Sequence, residues 1–432
     1  MLSFQASLPT LLSDLKKTST KPASTRRSIP LFTLESQIKR SLRRHLKSLG
    51  FQKDEKGLLK PPEMTKDCFR KLHAAQRRSK LIRESDFIRK EWPQLKRYFA
   101  DGRDISPEKI VAKLELVQTG TWQARLFRLA CNSWSVPVSQ GYGRRMRFLV
   151  WDDFNGKLIG LIALGDPVFN LHVRDESIGW NLKQKENLLV NLLDAYVLGA
   201  IPPYNMLLGG KLVACLICSK EVKDIFAKRY GHTRGIISKR KKHAELCLVT
   251  TTSALGRSSV YNRLKLGGTQ LFTPIGFTSG WGHFHIPENL FGKMRQYLED
   301  TDDNYLDNHR FGDGPNWKLR AVRKVLGKIG LSPDLMRHGI PREVFICQLA
   351  SNAYEFLRQK TNKPNFRGLR TAEEISQMAI ERWMAPRAVR RGEYRAWLKD
   401  DFAKRLVANE EAIWQQEDSQ GPQQENRFVT SP

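Results

Sequence analysis

The chain has 432 residues, of which 40% are hydrophobic and 27% are charged. These values are typical of a globular protein with a large core and two or three domains. Six unevenly spaced cysteines exclude a disulfide framework, and the apolar runs are too short for a membrane helix. The formal net charge is +29, which favours a polyanionic partner, with nucleic acid ahead of an acidic membrane.

The compartment follows from the cysteines and the N-terminus. Cys215 and Cys218 form a CxxC inside the apolar run LVACLIC, without a second pair, so we interpret them as core residues of a helix. The first residues, MLSFQASLPTLLSDLKK, lack the early basic segment of a signal peptide. We therefore expect a cytoplasmic protein that does not contact a membrane.

Half of the positive surplus lies near the N-terminus, because residues 1–100 hold 24 Lys and Arg against 9 Asp and Glu. Residues 1–30 are rich in Ser, Thr, Lys and Pro, which predicts a disordered leader. Residues 31–110 form a basic helical region, with an apolar stripe at Ile38, Leu42, Leu46 and Leu49. Its cations suit phosphate contacts.

The candidate nucleic-acid-binding residues are the cations of these helices together with two later basic clusters. They are Lys39, Arg40, Arg43, Arg44, Lys47, Arg70, Lys71, Arg77, Arg78, Arg144, Arg145, Lys239, Arg240, Lys241 and Lys242. His73 and Trp92 have rings that could stack on unpaired bases. Taken singly, however, Trp92 is more simply a core residue and His73 an ordinary surface residue.

Residues 111–290 have the alternating pattern of an α/β core. Two strands, Met146–Trp151 and Lys157–Leu164, flank the hairpin-turn sequence DFNG, and another strand spans Leu246–Thr252. The stretch Tyr196–Gly231 organises this region as a strand, a break at two prolines, a glycine turn and one helix. We expect the core to end near residue 287.

The glycine turn is the sharpest candidate for a ligand site in the core. Gly209 and Gly210 open the helix and Lys211 lies in its first turn, where N–H groups and the helix dipole favour an anion. The alternative is a tight turn with close packing and no ligand, which is the commoner role of a glycine pair.

Residues 291–415 read as a helical C-terminal region and residues 416–432 as a disordered tail. The stretch REVFICQLASNAYEFLRQK is one of several predicted amphipathic helices there.

The sequence contains only weak indications of catalytic residues. Asp152, Asp153 and Asp166 could hold Mg²⁺ for a metal-dependent nuclease, although they also suit turns. His283 and His285 share one side of a predicted extended segment, but no third ligand is near, so we expect no metal site. Walker A, GxSxG and HExxH sequences are absent, so ATP-driven work would have to come from a partner.

Long phrases of the sequence resemble the DruA family, the A component of the Druantia anti-phage defence system. The resemblance runs from about Phe32 to Ala412. It is carried by WSVPVSQGYGRRMRFLVWDDFNGKLIGLIALGDPVFNL, RDESIGW, DAYVLGAIPPYNMLLGGKLVACL, TTTSALGRSSVYNRLK, GWGHFHIPENLF and RWMAPRAVRRGEYRAW. It implies a bacterial protein that acts beside other defence components, including a large helicase-like partner, and it implies no catalytic residue.

The order of elements also resembles a GNAT acyltransferase core. That resemblance implies acyl-CoA at the Leu208–Lys211 turn and Tyr261 as general acid, although NMLLGGKL departs from the Q/RxxGxG/A pattern. The predicted fold is an α/β (α+β, GNAT-like mixed sheet) core flanked by basic N-terminal helices and a helical C-terminal region. The predicted function is a nucleic-acid-binding defence component. A GNAT-like acyltransferase and a metal-dependent nuclease are the alternatives, and the type of nucleic acid is open.

Overall fold

A computed structural model of the chain describes residues 33–234, 241–301 and 315–407. The predicted leader 1–30 and tail 416–432 lie outside these residues, as do Lys239 and Arg240.

The elements follow one another in this order: α1 Leu34–Ser48, β1 Gln52–Lys53, β2 Leu59–Lys60, α2 Lys66–Leu95, β3 Ala112–Leu116, α3 Trp122–Cys131, β4 Arg145–Asp152, β5 Lys157–Gly165, α4 His172–Ile178, α5 Leu182–Leu188, β6 Leu192–Ala200, α6 Gly209–Leu216, α7 Lys220–Tyr230, β7 His232–Arg234, β8 Lys241–His243, β9 Leu248–Thr252, β10 Lys265–Leu266, β11 Thr269–Gln270, β12 Thr273–Phe277, α8 Glu288–Thr301, α9 Pro315–Lys328, β13 Glu343–Gln348, α10 Ala353–Leu357, α11 Ala372–Ala379, α12 Ala385–Arg390 and α13 Lys399–Lys404.

A seven-stranded mixed sheet forms the centre, with the strands in the order β12-β13-β9-β6-β5-β4-β3. Neighbouring strands are antiparallel except β6 and β9, which are parallel. A parallel pair needs a crossover connection, and here α6, α7 and the β7–β8 hairpin supply it. The predicted α/β class with flanking helices is confirmed.

Helices cover both faces of the sheet. On one face, α6, α7 and α11 pack against residues such as Phe148, Ile162 and Phe345. On the other face, the last turns of α2 pack with α3 and α13 over β4 and β5, while α4 and α10 cover β6, β9 and β13. A further core is formed by α1, the start of α2, α8 and α9.

The first N-terminal helix forms as its apolar spacing predicts, and α2 lies within the predicted basic helical region. Ile38, Leu42 and Leu46 are the buried residues of α1. In α2, Thr65 caps the N-terminus by accepting a hydrogen bond from the Cys68 N–H at 3.2 Å, a contact that typically stabilises a helix by about 1 kcal/mol. Its 30 residues extend for about 45 Å.

The β4–β5 hairpin is confirmed by the structure. Gly156 closes its turn with φ of +68°, and its N–H donates to the Asp152 carbonyl at 2.8 Å. The helix predicted to run on to Tyr230 is instead two helices, α6 and α7. Ser219 separates them, because its side chain caps α7 by accepting from the Val222 N–H.

Three local predictions are wrong. The stretch predicted as an amphipathic helix from Arg342 contains β13, which lies between β9 and β12. Its residues EVFIC are buried, and a strand buried on both faces has the continuous apolar run of a buried helix. The α/β sheet therefore receives a strand from beyond residue 290. The stretch SALGRSSVYNRLKLGG, whose sequence favours a loop and a short helix, forms turns at residues 259–263 and contains no helix. Residues 283–286 form turns and bends instead of an extended segment.

Candidate functional site

The outer faces of α1 and α2 are strongly basic. Only two of their acids are exposed, Asp67 and Asp86. Ten of their cations are exposed, namely Arg40, Arg43, Arg44, Lys47, Lys66, Lys71, Arg78, Arg83, Arg89 and Lys90. We call this set the basic face.

Three of the four acids of α2 do little to offset the basic face, because their cationic partners lie outside it. Asp86 is the exception, since it pairs with Arg89 of the face. Glu84 accepts two hydrogen bonds from Arg128 of α3, at 2.7 and 3.1 Å. Glu91 is paired with Arg125 of α3 at 2.9 Å. The two exposed acids pair within the helix, Asp67 with Arg70 and Asp86 with Arg89. The positive potential of the helix surface is therefore largely retained.

Several of the predicted nucleic-acid-binding cations have partners within the protein, including Arg70, which pairs with Asp67. Arg77 is buried and donates to the carbonyls of Trp134 and Arg405 at 3.1 and 2.7 Å. Arg144 donates to Asp166 Oδ1 and to the Val190 carbonyl, both at 2.7 Å. Lys39 is paired with Glu35 in the first turns of α1. We leave Arg77 and Arg144 out of the basic face, since their N–H groups are used inside the fold.

The other predicted cations have more varied positions. Arg145 is exposed at the start of β4, and its backbone N–H donates to the Tyr230 hydroxyl at 3.0 Å. Lys241 and Lys242 lie in β8, where only their backbone is described.

The QGYGRR loop has a structural reason for its glycines. Gly141 and Gly143 have φ of +66° and +64°, a region that favours glycine. A Cβ on Gly143 would lie 1.9 Å from Asp166 Oδ2, and one on Gly141 would lie 2.6 Å from the Tyr196 ring. The glycines therefore let the loop pack tightly against β5 and β6.

The three candidate carboxylates do not converge. Asp152 is buried and accepts from the Tyr204 hydroxyl at 2.8 Å, whereas Asp153 is paired with Lys113. In the hairpin register Asp152 lies opposite Lys157, while Gly165, which precedes Asp166, lies opposite Arg145. Asp152 and Asp166 are thus at opposite ends of the hairpin, about 23 Å apart at the usual rise of a strand. Within the described ranges, no group of three or more His, Cys, Asp or Glu side chains could hold a metal ion.

Of the two histidines considered as metal ligands, His285 lies in a buried aromatic cluster with Phe284 and His338. His285 Nε2 lies 2.7 Å from the Leu335 carbonyl, and burial lowers the pKa of His283 and of His285 to about 4. His73 is 2% exposed, so its predicted surface position is wrong. Its ring centroid lies 4.0 Å from that of Phe284, and burial together with the Arg342 charge lowers its pKa to about 4.

The glycine pair opens α6 as predicted, and Leu208 before it is left-handed with φ of 62°. A Cβ on Gly209 would lie 2.6 Å from the Tyr204 carbonyl oxygen, whereas one on Gly210 would meet nothing within 4 Å. The Lys211 N–H donates to the Leu208 carbonyl at 2.8 Å, and its Nζ lies 5.4 Å from the Trp383 ring. Burial, followed by the positive charge of Arg382, lowers the pKa of Lys211.

Tyr261 lies in an aromatic environment at the point where β6 extends beyond its pairing with β9. Its ring stacks on Phe272 at 4.9 Å, and its hydroxyl lies 3.5 Å from the Leu198 carbonyl. Burial raises the pKa of Tyr261 to about 12.

One titratable residue in the sheet was missed by the sequence reasoning. Asp194 of β6 lies opposite Thr250 of β9 and accepts a hydrogen bond from its hydroxyl at 2.7 Å. Burial raises the pKa of Asp194 to about 6, a value suited to proton exchange near neutral pH. A single carboxylate in the apolar run LLDAYVLG was the available signal.

Comparison with known proteins identifies the family. A family model described as Druantia protein DruA matches residues 63–359. The Druantia protein DruA of Escherichia coli (strain UMEA 4076-1) is 54% identical over 368 residues, which cover 85% of this chain and 91% of the relative. No solved structure matches the chain. The family resemblance found in the sequence phrases is thereby confirmed, and the chain belongs to the DruA family of Druantia anti-phage defence components.

Proposed function

We propose that this chain acts in the cytoplasm as the nucleic-acid-binding component of its defence system and binds through the basic face of α1 and α2. The observation that carries the proposal is the ratio of ten exposed cations to two exposed acids on these helices. Six free, buried cysteines fit a reducing compartment.

The spacing of the cations supports contacts with a phosphate backbone. Arg83 and Lys90 are seven residues apart on α2, which places them on one side of the helix about 10 Å apart. Lysine and arginine contacts to phosphate release counterions and do not read the base sequence. We therefore expect binding that is independent of sequence and falls steeply with salt.

Salt titration of the full chain with a labelled oligonucleotide tests the proposal. Log affinity should fall linearly with log salt, and the Arg83→Ser/Lys90→Ser variant should reduce the slope by about 2, one for each phosphate that is no longer neutralised. The matched control is Lys228→Ser/Arg229→Ser on α7, which removes the same charge from two exposed cations of a helix that packs on the other side of the sheet.

Two outcomes would contradict the proposal. Affinity that does not change between low and high salt would exclude phosphate contacts as the source of binding. An equal weakening in the α2 and α7 variants would show that only the total charge matters and that the basic face has no special role.

Acyl-CoA binding at the Gly209–Lys211 turn is a second candidate function. It is supported by the parallel β6–β9 pair joined through α6 and by the positive charges of Lys211 and Arg382 near the start of that helix. Two observations weigh against it. The Lys211 N–H already donates to the Leu208 carbonyl, and the sequence NMLLGGKL departs from the Q/RxxGxG/A pattern. Titration calorimetry with acetyl-CoA tests this candidate function, and the absence of any binding heat would exclude it.

We also propose that other Druantia components, including a helicase-like protein, act with this chain. Family membership supports this proposal. Co-purification of the full chain with each component of its own system, with and without nuclease treatment, would separate direct contacts from bridging by nucleic acid.

A further inference from the structure

A basic pocket lies where α2 ends. It has a volume of about 560 Å³ and is lined by Pro93, Gln94, Lys96, Arg97, Lys157 and Lys399. This volume is within the range of small-ligand sites in proteins. Four of the six lining residues are cations and none is an acid, so the pocket would attract an anion.

The cations come from three separate parts of the chain and two of them are held in place. Lys96 and Arg97 lie in the short 3₁₀ turn that follows α2. Lys157, the first residue of β5, donates from Nζ to the Arg97 carbonyl at 2.8 Å. Lys399, the first residue of α13, donates from both its backbone N–H and its Nζ to Asp101, each at 2.6 Å.

These contacts leave donors available for a ligand. An ammonium group has three N–H donors and a guanidinium has five. The Nζ of Lys157 and that of Lys399 each make one hydrogen bond here, and Arg97 Nη2 makes one to the Tyr98 hydroxyl. Asp101 bonds Lys399, and the negative charges of Asp104 and Asp400 also act on that lysine. The positive excess of the pocket is therefore supplied by Lys96, Arg97 and Lys157.

We propose that this pocket binds a phosphate monoester, and specifically the terminal phosphate of a nucleic-acid strand held on the basic face. The inference rests on the proposed nucleic-acid binding. A terminal phosphate carries about −1.5 to −2 charges at neutral pH and three acceptor oxygens, which matches several convergent cations better than the single charge of a backbone diester. Arg83, Lys90 and Arg97 follow one another at seven-residue spacing, so the basic face leads along α2 to the pocket.

The test compares oligonucleotides of one sequence with an internal label and either a 5′-phosphate, a 3′-phosphate or no terminal phosphate. We expect one terminal phosphate to increase the affinity of the full chain about tenfold, the effect of a charge-assisted hydrogen bond. The Lys96→Ser/Arg97→Ser variant should lose this preference, and since both residues are exposed it should fold normally, as its thermal unfolding would verify. The control Arg83→Ser/Lys90→Ser should weaken all three ligands by the same factor.

The outcomes separate this inference from the proposed function. Salt-dependent binding without any preference for a terminal phosphate, or a preference that survives in the pocket variant, would overturn the pocket inference alone. Absence of binding by all three oligonucleotides would overturn the proposed function. Competition by inorganic phosphate or a mononucleotide as strong as that by the phosphorylated strand would show that the pocket binds a free phosphate and not a strand end.

Discussion

The basic face and the interior around the central sheet both contain many charged side chains, but their charges have different surroundings. On α1 and α2, ten cations are exposed. Inside, Arg174 is 0% exposed and its guanidinium donates to Asp175 Oδ1 at 2.6 Å and to the carbonyls of Val168 and Phe169 at 2.7 and 2.9 Å. Arg77 and Arg144 are held in the same manner.

This difference shows why a positive composition does not by itself locate a binding surface. An arginine whose N–H groups are bonded to carbonyls stabilises the fold and is unavailable to a ligand, whereas an exposed arginine contributes little to stability. Substitutions in the two regions should therefore have opposite consequences for stability and for binding.

The largest effect is expected for Arg174→Met. Removing Arg174 leaves Asp175 Oδ1 and two carbonyls without their donors, while Lys185 still bonds Asp175 Oδ2 at 3.1 Å. We therefore expect a loss near the lower end of the range of about 3 to 5 kcal/mol that is typical of breaking a buried ion pair. Denaturant unfolding measures the change. Arg83→Met on the basic face is the control, and a loss below about 1 kcal/mol for Arg174→Met would show that its contacts are dispensable.

A smaller effect is expected from the buried histidines as pH falls. The pKa of His73 is lowered to about 4, so between its ordinary value of about 6.5 and pH 4 the unfolded chain binds the proton and the native chain does not. Stability from this residue is therefore complete above pH 6.5 and declines as pH falls, by up to about 1.4 kcal/mol per unit.

The variant His73→Gln isolates this effect. Between pH 6.5 and 5 it should lose about 1.5 kcal/mol less than the unsubstituted chain. The raised pKa of Asp194 acts in the opposite direction below about pH 6, but it is common to both proteins and cancels in the difference. Parallel stability curves for the two proteins would contradict the burial of a neutral His73.

A further test concerns the Asp152 site, where Tyr204→Phe removes one hydroxyl. Asp152 Oδ1 would keep the N–H groups of Val111 and Phe154, at 3.3 and 3.2 Å, so we expect a loss of about 1 to 2 kcal/mol, near the lower end for an unsatisfied buried acceptor. Oligonucleotide affinity should not change. Unchanged stability together with a loss of function would instead indicate a chemical role for this pair.

The smallest stability effect is expected on the basic face itself. Arg83→Ser/Lys90→Ser should alter the free energy of unfolding by no more than about 0.5 kcal/mol for each substitution, although it weakens oligonucleotide binding. The free energy of unfolding and the oligonucleotide affinity should be measured on one preparation of the variant. A large loss of stability would mean that these cations stabilise the fold.

Parts of the fold with a strong local signal were predictable. The apolar spacing of Ile38, Leu42 and Leu46 defines α1, and the alternation around DFNG defines the β4–β5 hairpin. Prediction failed at β13, because a strand buried on both faces has no alternation to distinguish it from a helix. It also failed at Ser219, where a side-chain cap divides one apolar run into α6 and α7.

The candidate sites were harder to predict, because they depend on contacts between residues that are distant in the sequence. The sequence indicated a basic N-terminal region, and the exposed cations are indeed there. The sequence did not distinguish Arg77 and Arg144 from the exposed cations, because their hydrogen-bond partners are remote in the chain. The basic pocket joins Arg97, Lys157 and Lys399, and no local motif links positions so far apart.

The sequence alone determined the family, the charge surplus and the presence of basic helices, because these are properties of composition, local spacing and long matching phrases. Tertiary structure decided which charges remain accessible, where Asp152 and Asp166 lie relative to one another, and that β13 completes the sheet. The physical reason is that burial, hydrogen-bond partners and strand neighbours arise from contacts between distant segments. The same residue types thus stabilise the fold in one region and are available for binding in another.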